Sequence, residues 1–142
     1  MEVDRNGLEV LDRHECLRLL ALATLGRVGF TSGALPTVLP VNFHLDGDRI
    51  LVRTGRGSKL DASAQNAVVA FEVDDFDPIC HSGWSVAVTG VATQISDPTE
   101  LDAARREPIA RWVPAGDEAV LAISTELMSG RRITAGSLPM RR

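Results

Sequence analysis

Short β-branched runs separated by turn residues fill the chain between residues 26 and 95. Val86 and Val88 have the alternate spacing of a strand with one buried face, and Gly90 after them predicts a bulge or bend. Asp46-Gly47 is typical of a tight turn between antiparallel strands, and Ser32-Gly33 marks an earlier turn. The pattern predicts strands over 26–30, 36–45, 48–54, 67–74, 84–95 and 118–125.

Three other segments carry the signals of a helix start. Each has a capping side chain followed three positions later by an acidic residue, a pairing that satisfies unpaired amides. The starts are Asp12 with Glu15, Ser58 with Asp61, and Asp97-Pro98 with Glu100. They predict a helix over 12–23, a short helix after residue 58 and a third from 97 to about 106. The chain is therefore expected to be mainly β with a few helices, its meander sheet curled into a barrel.

The composition fits a single domain spanning residues 1–142. The chain has 142 residues, 44% of them hydrophobic, and a formal net charge of −4. That acidic balance argues against nucleic acid as a partner, because binding to phosphate backbones needs a broad cationic face. The sequence has no apolar run of about 18 residues and no signal-peptide pattern, which predicts a cytoplasmic protein with no membrane partner. From about residue 129 the chain is basic, and we expect a loosely ordered tail there.

The cysteines and histidines give no ligand pattern. Cys16 and Cys80 lie far apart without C-x-x-C spacing, which predicts buried free thiols rather than a disulfide or a zinc site. His81 adjoins Cys80, but no ligand spacing repeats, so we predict no metal. His44 beside the turn is interpreted as a solvated polar strand end, the alternative being a proton donor to a bound substrate.

The most distinctive stretch is "VRTGRGSKLDA", residues 52 to 62, which places Arg53, Arg56 and Lys59 within seven residues. A strand end, a glycine turn and a helix start at Ser58 resemble the geometry of an anion site, in which amides and the helix dipole face a phosphate. The residue order excludes a Walker loop, and no Rossmann G-x-G-x-x-G is present. The residues alone leave two readings open: a site for a phosphate ester, or a solvated basic hairpin tip.

Four stretches in order resemble the pyridoxamine 5'-phosphate oxidase-like FMN-binding split-barrel family, in particular its short actinobacterial-type members. They are "LGRVGF", "PTVLPVNFHLDGDRILVRTGRGSKLDA", "VAFEVDDFDP" and "GWSVAVTGVATQISD", and the resemblance covers roughly residues 8 to 133. It implies a six-stranded antiparallel split β-barrel and a homodimer. It also implies a flavin mononucleotide (FMN) in each of two clefts between the subunits.

The resemblance also implies the residues that bind the cofactor. Those implied to hold the flavin phosphate are Arg53, Thr54, Ser58 and Lys59. The isoalloxazine ring is implied to lie along Pro40, Val41 and Asn42, with Trp84 and Ser85 approaching from the partner subunit. Asn42 is polar in an otherwise apolar strand, so we expect its amide to have a hydrogen-bond partner.

The function implied by the resemblance is that of an FMN-dependent oxidoreductase with a small-molecule substrate, which the sequence does not identify. The tail "SGRRITAGSLPMRR" contains no histidine and the chain contains no tyrosine, which argues against oxidation of pyridoxamine phosphate. One alternative is a reductase that uses the deazaflavin coenzyme, with Arg27 and Arg56 along its longer tail. The other is a non-catalytic flavin-binding or sensor protein on the same barrel.

Overall fold

The computed structural model describes residues 1–109 and 118–134, which form eight strands and three helices. The strands are β1 Glu9–Leu11, β2 Leu25–Ser32, β3 Leu35–Asp46, β4 Arg49–Gly55, β5 Ala67–Asp77, β6 Ser82–Gln94, β7 Glu118–Ile123 and β8 Leu127–Ile133. The helices are α1 Arg13–Leu22, α2 Lys59–Ala64 and α3 Pro98–Arg105. Along these two described ranges, no helix is long and apolar enough to cross a membrane.

The predicted turns and helix starts are confirmed. The β2–β3 hairpin turns over Gly33 and Ala34, with φ of 54° and 65°, and the β3–β4 hairpin turns at Gly47, with φ of 64°. At the three helix starts the capping side chain accepts a hydrogen bond from the amide three residues later. Local sequence therefore determines where these elements begin.

Six strands close into an antiparallel barrel, as predicted. The sheet order is β1-β8-β6-β5-β2-β3-β4-β7, and an additional pairing of β6 with β7 joins β2 to β7 into a ring. The partner of β6 changes along its length, from β8 over Gly83–Thr89 to β7 over Ala92–Gln94. The sheet thereby leaves the barrel on one side, where β8 and β1 extend it.

Gly90 lies at this change of partner, where the sequence predicted a bulge or bend. Its pairing with Val69 of β5 continues the ladder in register, so β6 has no bulge here. A Cβ atom at this position would overlap the carbonyl oxygen of Ser124. The glycine is needed because the chain after β7 passes directly over β6.

The expectation of a loosely ordered tail from about residue 129 is wrong for residues 129–133, which belong to β8 and pair with β6 and β1. Two arginines there have partners far away in the sequence: Arg131 bonds to Asp4 at 2.8 Å, and Arg132 bonds to Glu15 at 2.7 Å. The positive charge of this segment led to the expectation of a loose tail, but these acidic residues pair with its arginines. Residues 135–142 of the predicted tail lie outside the described residues.

Two apolar clusters support the sheet. The main core fills the barrel and the space under α1, and contains the edge-to-face pair Phe43 and Phe71 with ring centres 5.0 Å apart. A smaller core lies between the outer side of β4 and β7 and helix α3, and its buried members are Leu51, Ile95, Ala104, Ile109, Val120 and Ala122. The outer side of β4 is therefore covered by α3.

The cysteines differ in environment. Cys16 is buried as predicted, and burial raises the pKa of its thiol. Cys80 is exposed, contrary to the prediction, because it lies in the turn between β5 and β6. Throughout residues 1–109 and 118–134, no three histidine, cysteine or acidic side chains are grouped as metal ligands.

Candidate functional site

A cavity of about 260 Å³ opens where β3 and β4 separate. The two strands pair only from Asp46 with Arg49 to Phe43 with Val52. Beyond that point β3 stays paired with β2, and β4 stays paired with β7. The cavity is lined by Leu39, Pro40, Val41, Asn42, Arg53, Thr54, Gly55, Ser58, Lys59 and Leu60.

This cavity brings together seven of the nine residues that the resemblance implied for the cofactor. They are Pro40, Val41, Asn42, Arg53, Thr54, Ser58 and Lys59. Trp84 and Ser85 lie elsewhere in the same protomer, on β6. Trp84 packs against the main core and lines a separate groove with Arg132. Adjacent strand residues face opposite sides of the sheet, so the side chains of Trp84 and Ser85 point away from each other.

The basic loop is held in place by its own polar groups. The amide of Ser58 donates to the carbonyl of Gly55 at 3.0 Å, which closes a turn. Gly57 lies within this turn at φ +77°, a conformation that favours glycine. The hydroxyls of Thr54 and Ser58 are 2.8 Å apart. Both hydroxyls are thus presented side by side at the wall of the cavity.

Asp61 is the residue that fixes this loop, and the sequence identified it only as part of a helix start. Its carboxylate is buried and accepts hydrogen bonds from the amide of Gly57 at 2.7 Å and from Gln65 Nε2 at 3.0 Å. Its own amide donates to Ser58 Oγ at 3.2 Å. The S-x-x-D spacing of a capping box was the available signal.

These bonds reduce the number of loop amides that are open to an anion. The pattern of strand end, glycine turn and helix start predicts unpaired amides facing a phosphate, but the amides of Gly57 and Asp61 are bonded within the loop. Helix α2 has six residues, which leaves its dipole short. Side-chain groups of the loop that are suited to an anion include the two hydroxyls and the exposed ammonium of Lys59.

The three cations of the loop have different environments. Lys59 and Arg56 are exposed, whereas the Arg53 side chain is only 6% exposed. The Arg53 guanidinium donates to three backbone carbonyls, those of Arg105, Glu107 and Ile109. Its charge is directed at the end of α3 and the segment that follows.

His44 is not simply the solvated strand end that the sequence suggested. Its Nε2 lies 3.0 Å from a carboxylate oxygen of Glu107, and each side chain is about one third exposed. Glu107 also accepts a hydrogen bond from Arg53 through its carbonyl at 3.1 Å. No local pattern predicts this pairing, because His44 and Glu107 are far apart along the chain.

The cavity adjoins an open groove on the outer face of the barrel, lined by Arg27, Gly29, Val38, Ala70, Glu72 and Asp74. Pro40 of the cavity wall pairs with Arg27, and Arg27 pairs with Glu72. Arg27 lies 3.4 Å from the carboxylate of Glu72 and 3.5 Å from that of Asp74. Partial burial and the nearby Asp74 carboxyl raise the pKa of Glu72 to about 7.

Known proteins are similar to this chain in sequence and in fold. The family model described as pyridoxamine 5'-phosphate oxidase matches residues 12–132. The uncharacterized protein Rv0080 from Mycobacterium tuberculosis is 42% identical over 132 residues, which cover 89% of this chain and 86% of that protein.

Two solved structures extend the comparison. The FAD binding protein from Mycobacterium smegmatis is 33% identical with a TM-score of 0.80, over 89% of this chain and 98% of that chain. An FAD-binding protein from Mesorhizobium loti shares the fold at 21% identity, with a TM-score of 0.74, over 89% of this chain and 99% of that one. Since the family model spans most of the chain, from the start of α1 to the end of β8, this protein belongs to the pyridoxamine 5'-phosphate oxidase family.

Proposed function

We propose that this protein is a flavin-dependent oxidoreductase that binds its cofactor in the cavity between β3 and β4. The observation that carries this proposal is that the cavity has one apolar wall and one polar, positively charged wall. One wall is the largely apolar strand segment 39–42, and the other has two adjacent hydroxyls and Lys59. A flavin nucleotide has the same division, with a flat aromatic ring at one end and a phosphate at the other.

The residues present fit this group. Pro40 and Val41 supply apolar contact for a ring, and the Asn42 amide supplies a polar group to its edge. Thr54, Ser58 and Lys59 supply hydroxyl and ammonium donors for a phosphate. When bound, a flavin accepts and returns a hydride, so the protein needs no nucleophile of its own.

Among the flavins, we favour FMN because the two hydroxyls and the Lys59 ammonium form one compact cluster, which suits a single phosphate. FAD is the second candidate, because the Mycobacterium smegmatis relative is named as an FAD binding protein. The deazaflavin coenzyme is a third possibility to test, with Arg27 and Arg56 near its longer tail. The substrate would be a small molecule other than pyridoxamine phosphate, and the protein would act in the cytoplasm.

We also propose that the active form is a homodimer whose partner completes the site. Pro40, Arg27, Glu72 and Ala87 form one row across β3, β2, β5 and β6. Three strand spacings, about 14 Å, separate the two ends of the row, and Ser85 is two residues beyond Ala87. Ser85 of the same protomer is therefore distant from the cavity, which favours the copy on the partner as the one that approaches the ring.

The outer face supports the same proposal. Val38 and Val68 are 65% and 68% exposed on it, and Leu127 of β8 is 67% exposed. Large apolar side chains exposed together on one sheet face are typical of an interface. A second copy seated here would cover these residues and the open groove at Arg27.

The test is binding, followed by reduction. We expect the purified protein to be yellow, or to bind added FMN in preference to FAD and the deazaflavin coenzyme, as measured by fluorescence quenching. Stopped-flow reduction with NADH, NADPH or reduced deazaflavin then separates an enzyme from a flavin store. A colourless protein whose fluorescence and melting temperature respond to none of the three compounds would rule out the proposed function.

A further inference from the structure

Arg53 is both a residue of the cavity wall and a nearly buried cation. It lines the cavity, yet its charged side chain is only 6% exposed. Burial of a charged group is costly unless that group is paired and hydrogen-bonded. The contacts of its guanidinium therefore indicate what Arg53 does.

Those contacts lie behind the cavity wall. Nη2 donates to the carbonyls of Arg105 and Glu107, and Nη1 donates to the carbonyl of Ile109 at 3.4 Å. Nε lies 3.8 Å from the carboxylate of Glu118, whose side chain is 5% exposed. These partners belong to the end of α3, the segment after it and the start of β7.

The position of Arg53 on β4 explains why such an anchor is useful. Pairing of β4 with β3 ends at Val52, one residue earlier. Within residues 1–109 and 118–134, the strand from Arg53 to Gly55 pairs with β7 alone. Thr54 lies in this stretch, and its hydroxyl contacts Ser58. The guanidinium thus holds the strand end at the point where one of its two neighbours is lost.

We propose that Arg53 is a positioning residue of the flavin site, which anchors the end of β4 to residues 105–109 and Glu118, and that Lys59 supplies the charge for the phosphate. This inference rests on the proposed flavin-binding function. It gives Arg53 a role different from the direct phosphate contact that the family resemblance implied.

The experiment compares FMN with riboflavin, which lacks the phosphate. Fluorescence titration gives the dissociation constant of each compound for wild type, Arg53→Met and Lys59→Met. Loss of the anchor displaces the whole cavity wall. We therefore expect Arg53→Met to raise the dissociation constants of FMN and riboflavin by the same factor, roughly tenfold. Lys59→Met is expected to raise the dissociation constant of FMN roughly tenfold and to leave that of riboflavin unchanged.

A second measurement follows the anchored segment without any ligand. Hydrogen exchange at the amides of Arg106, Glu107 and Ile109, which bond within this segment, is expected to be faster in Arg53→Met than in wild type. Lys59→Met is the matched control and should leave it unchanged. If Arg53→Met does not fold, Arg53→Lys replaces it, since it retains the charge but lacks the planar donors.

Three results would overturn the inference. If Arg53→Met weakens FMN alone, Arg53 contacts the phosphate directly. If it lowers only the melting temperature and both dissociation constants are unchanged, the role is purely structural. If exchange at the three amides is unchanged, there is no anchor. Failure of the wild-type protein to bind either compound is instead a failure of the proposed function, recognisable because it does not depend on the variant.

Discussion

The cavity and the outer face of the barrel are neighbours, but they differ in how their polar groups are satisfied. In the cavity wall, Asp61 accepts two hydrogen bonds and the hydroxyls of Thr54 and Ser58 contact each other. On the outer face, one arginine is shared by two carboxylates at 3.4 and 3.5 Å, beside exposed valines. The polar groups of the cavity wall are therefore paired within one chain. The outer face instead has exposed apolar and charged side chains, as a protein interface does.

This difference bears on how a ligand would bind. A loop already fixed by Asp61 loses little conformational freedom when an anion arrives, which favours affinity. The outer face has no such internal framework, so its contribution to a site depends on what is packed against it. We therefore expect substitutions in the two regions to have different consequences.

The largest expected effect is on assembly, from a charge placed on the outer face. Val38→Asp adds a carboxylate to a groove that already holds those of Glu72 and Asp74 beside Arg27, and a second copy seated there would bury this excess negative charge. We expect the dimer dissociation constant to rise by more than about 100-fold, the scale of an interface hot spot, and flavin affinity to fall with it. Analytical ultracentrifugation measures the assembly.

The control is Leu22→Asp, at the end of α1, where the native leucine is 70% exposed. It should leave the dimer intact. A Val38→Asp protein that dimerises as tightly as wild type would show that the outer face is not the interface.

The next effect concerns the loop itself. Asp61→Ala removes the acceptor for the Gly57 amide and for Gln65. We expect the free energy of unfolding to fall by about 2 kcal/mol, the scale of a hydrogen bond to a charged acceptor. FMN binding should be weakened more than riboflavin binding, because Asp61 no longer fixes the loop that carries Ser58 and Lys59. Urea denaturation and flavin titration are the measurements.

Asp102→Ala is the matched control, since it makes the same change at an exposed position on α3. An Asp61→Ala variant with the stability of Asp102→Ala would mean that the loop does not depend on the buried carboxylate.

The smallest effect is a pH dependence from Glu72. Its pKa is about 7 in the folded chain, above its ordinary value of 4.5, so the folded state holds a proton that the unfolded state releases. Stability should therefore fall as pH rises from about 4.5 to 7 and then level off. The charged groups facing Glu72 are Arg27 from β2 and Asp74 from β5.

Glu72→Gln imitates the protonated form. Its melting temperature should equal that of wild type near pH 5 and exceed it by a few degrees at pH 8. Glu126→Gln, at an exposed position between β7 and β8, is the control and should show no such divergence. Parallel curves for Glu72→Gln and wild type across this range would contradict the prediction.

The parts of the fold that depend on neighbouring residues were predictable. Asp12, Ser58 and Asp97 begin helices because a capping side chain acts on an amide three residues away. The Asp46-Gly47 turn joins β3 to β4 for a similarly local reason. Strands β1 and β8 were missed, because their short, charged sequences become strands only through long-range ladders. Strand β8 pairs with β6, and β1 pairs with β8 across more than a hundred positions.

The candidate site likewise has residues that could be named from the sequence and contacts that could not. The basic loop and the residues of β3 could be named from the sequence, and the fold brings seven of them to one cavity. The hydrogen-bond partners of Arg53 could not be predicted, because its carbonyl acceptors lie 52 to 56 residues further along the chain. A sequence shows that a cation is present but not which acceptors will surround it.

The sequence by itself determined the mainly β character of the protein, its turns, its helix starts and the cluster of basic residues beside a glycine turn. Those features depend on backbone preferences and on hydrogen bonds spanning a few residues. Only the tertiary structure decided that β3 and β4 separate at Val52, that Asp61 is buried beneath the loop, and that Arg53 faces α3. Each of these depends on which distant segments pack together, because burial and the choice of hydrogen-bond partner are set by the closed barrel as a whole.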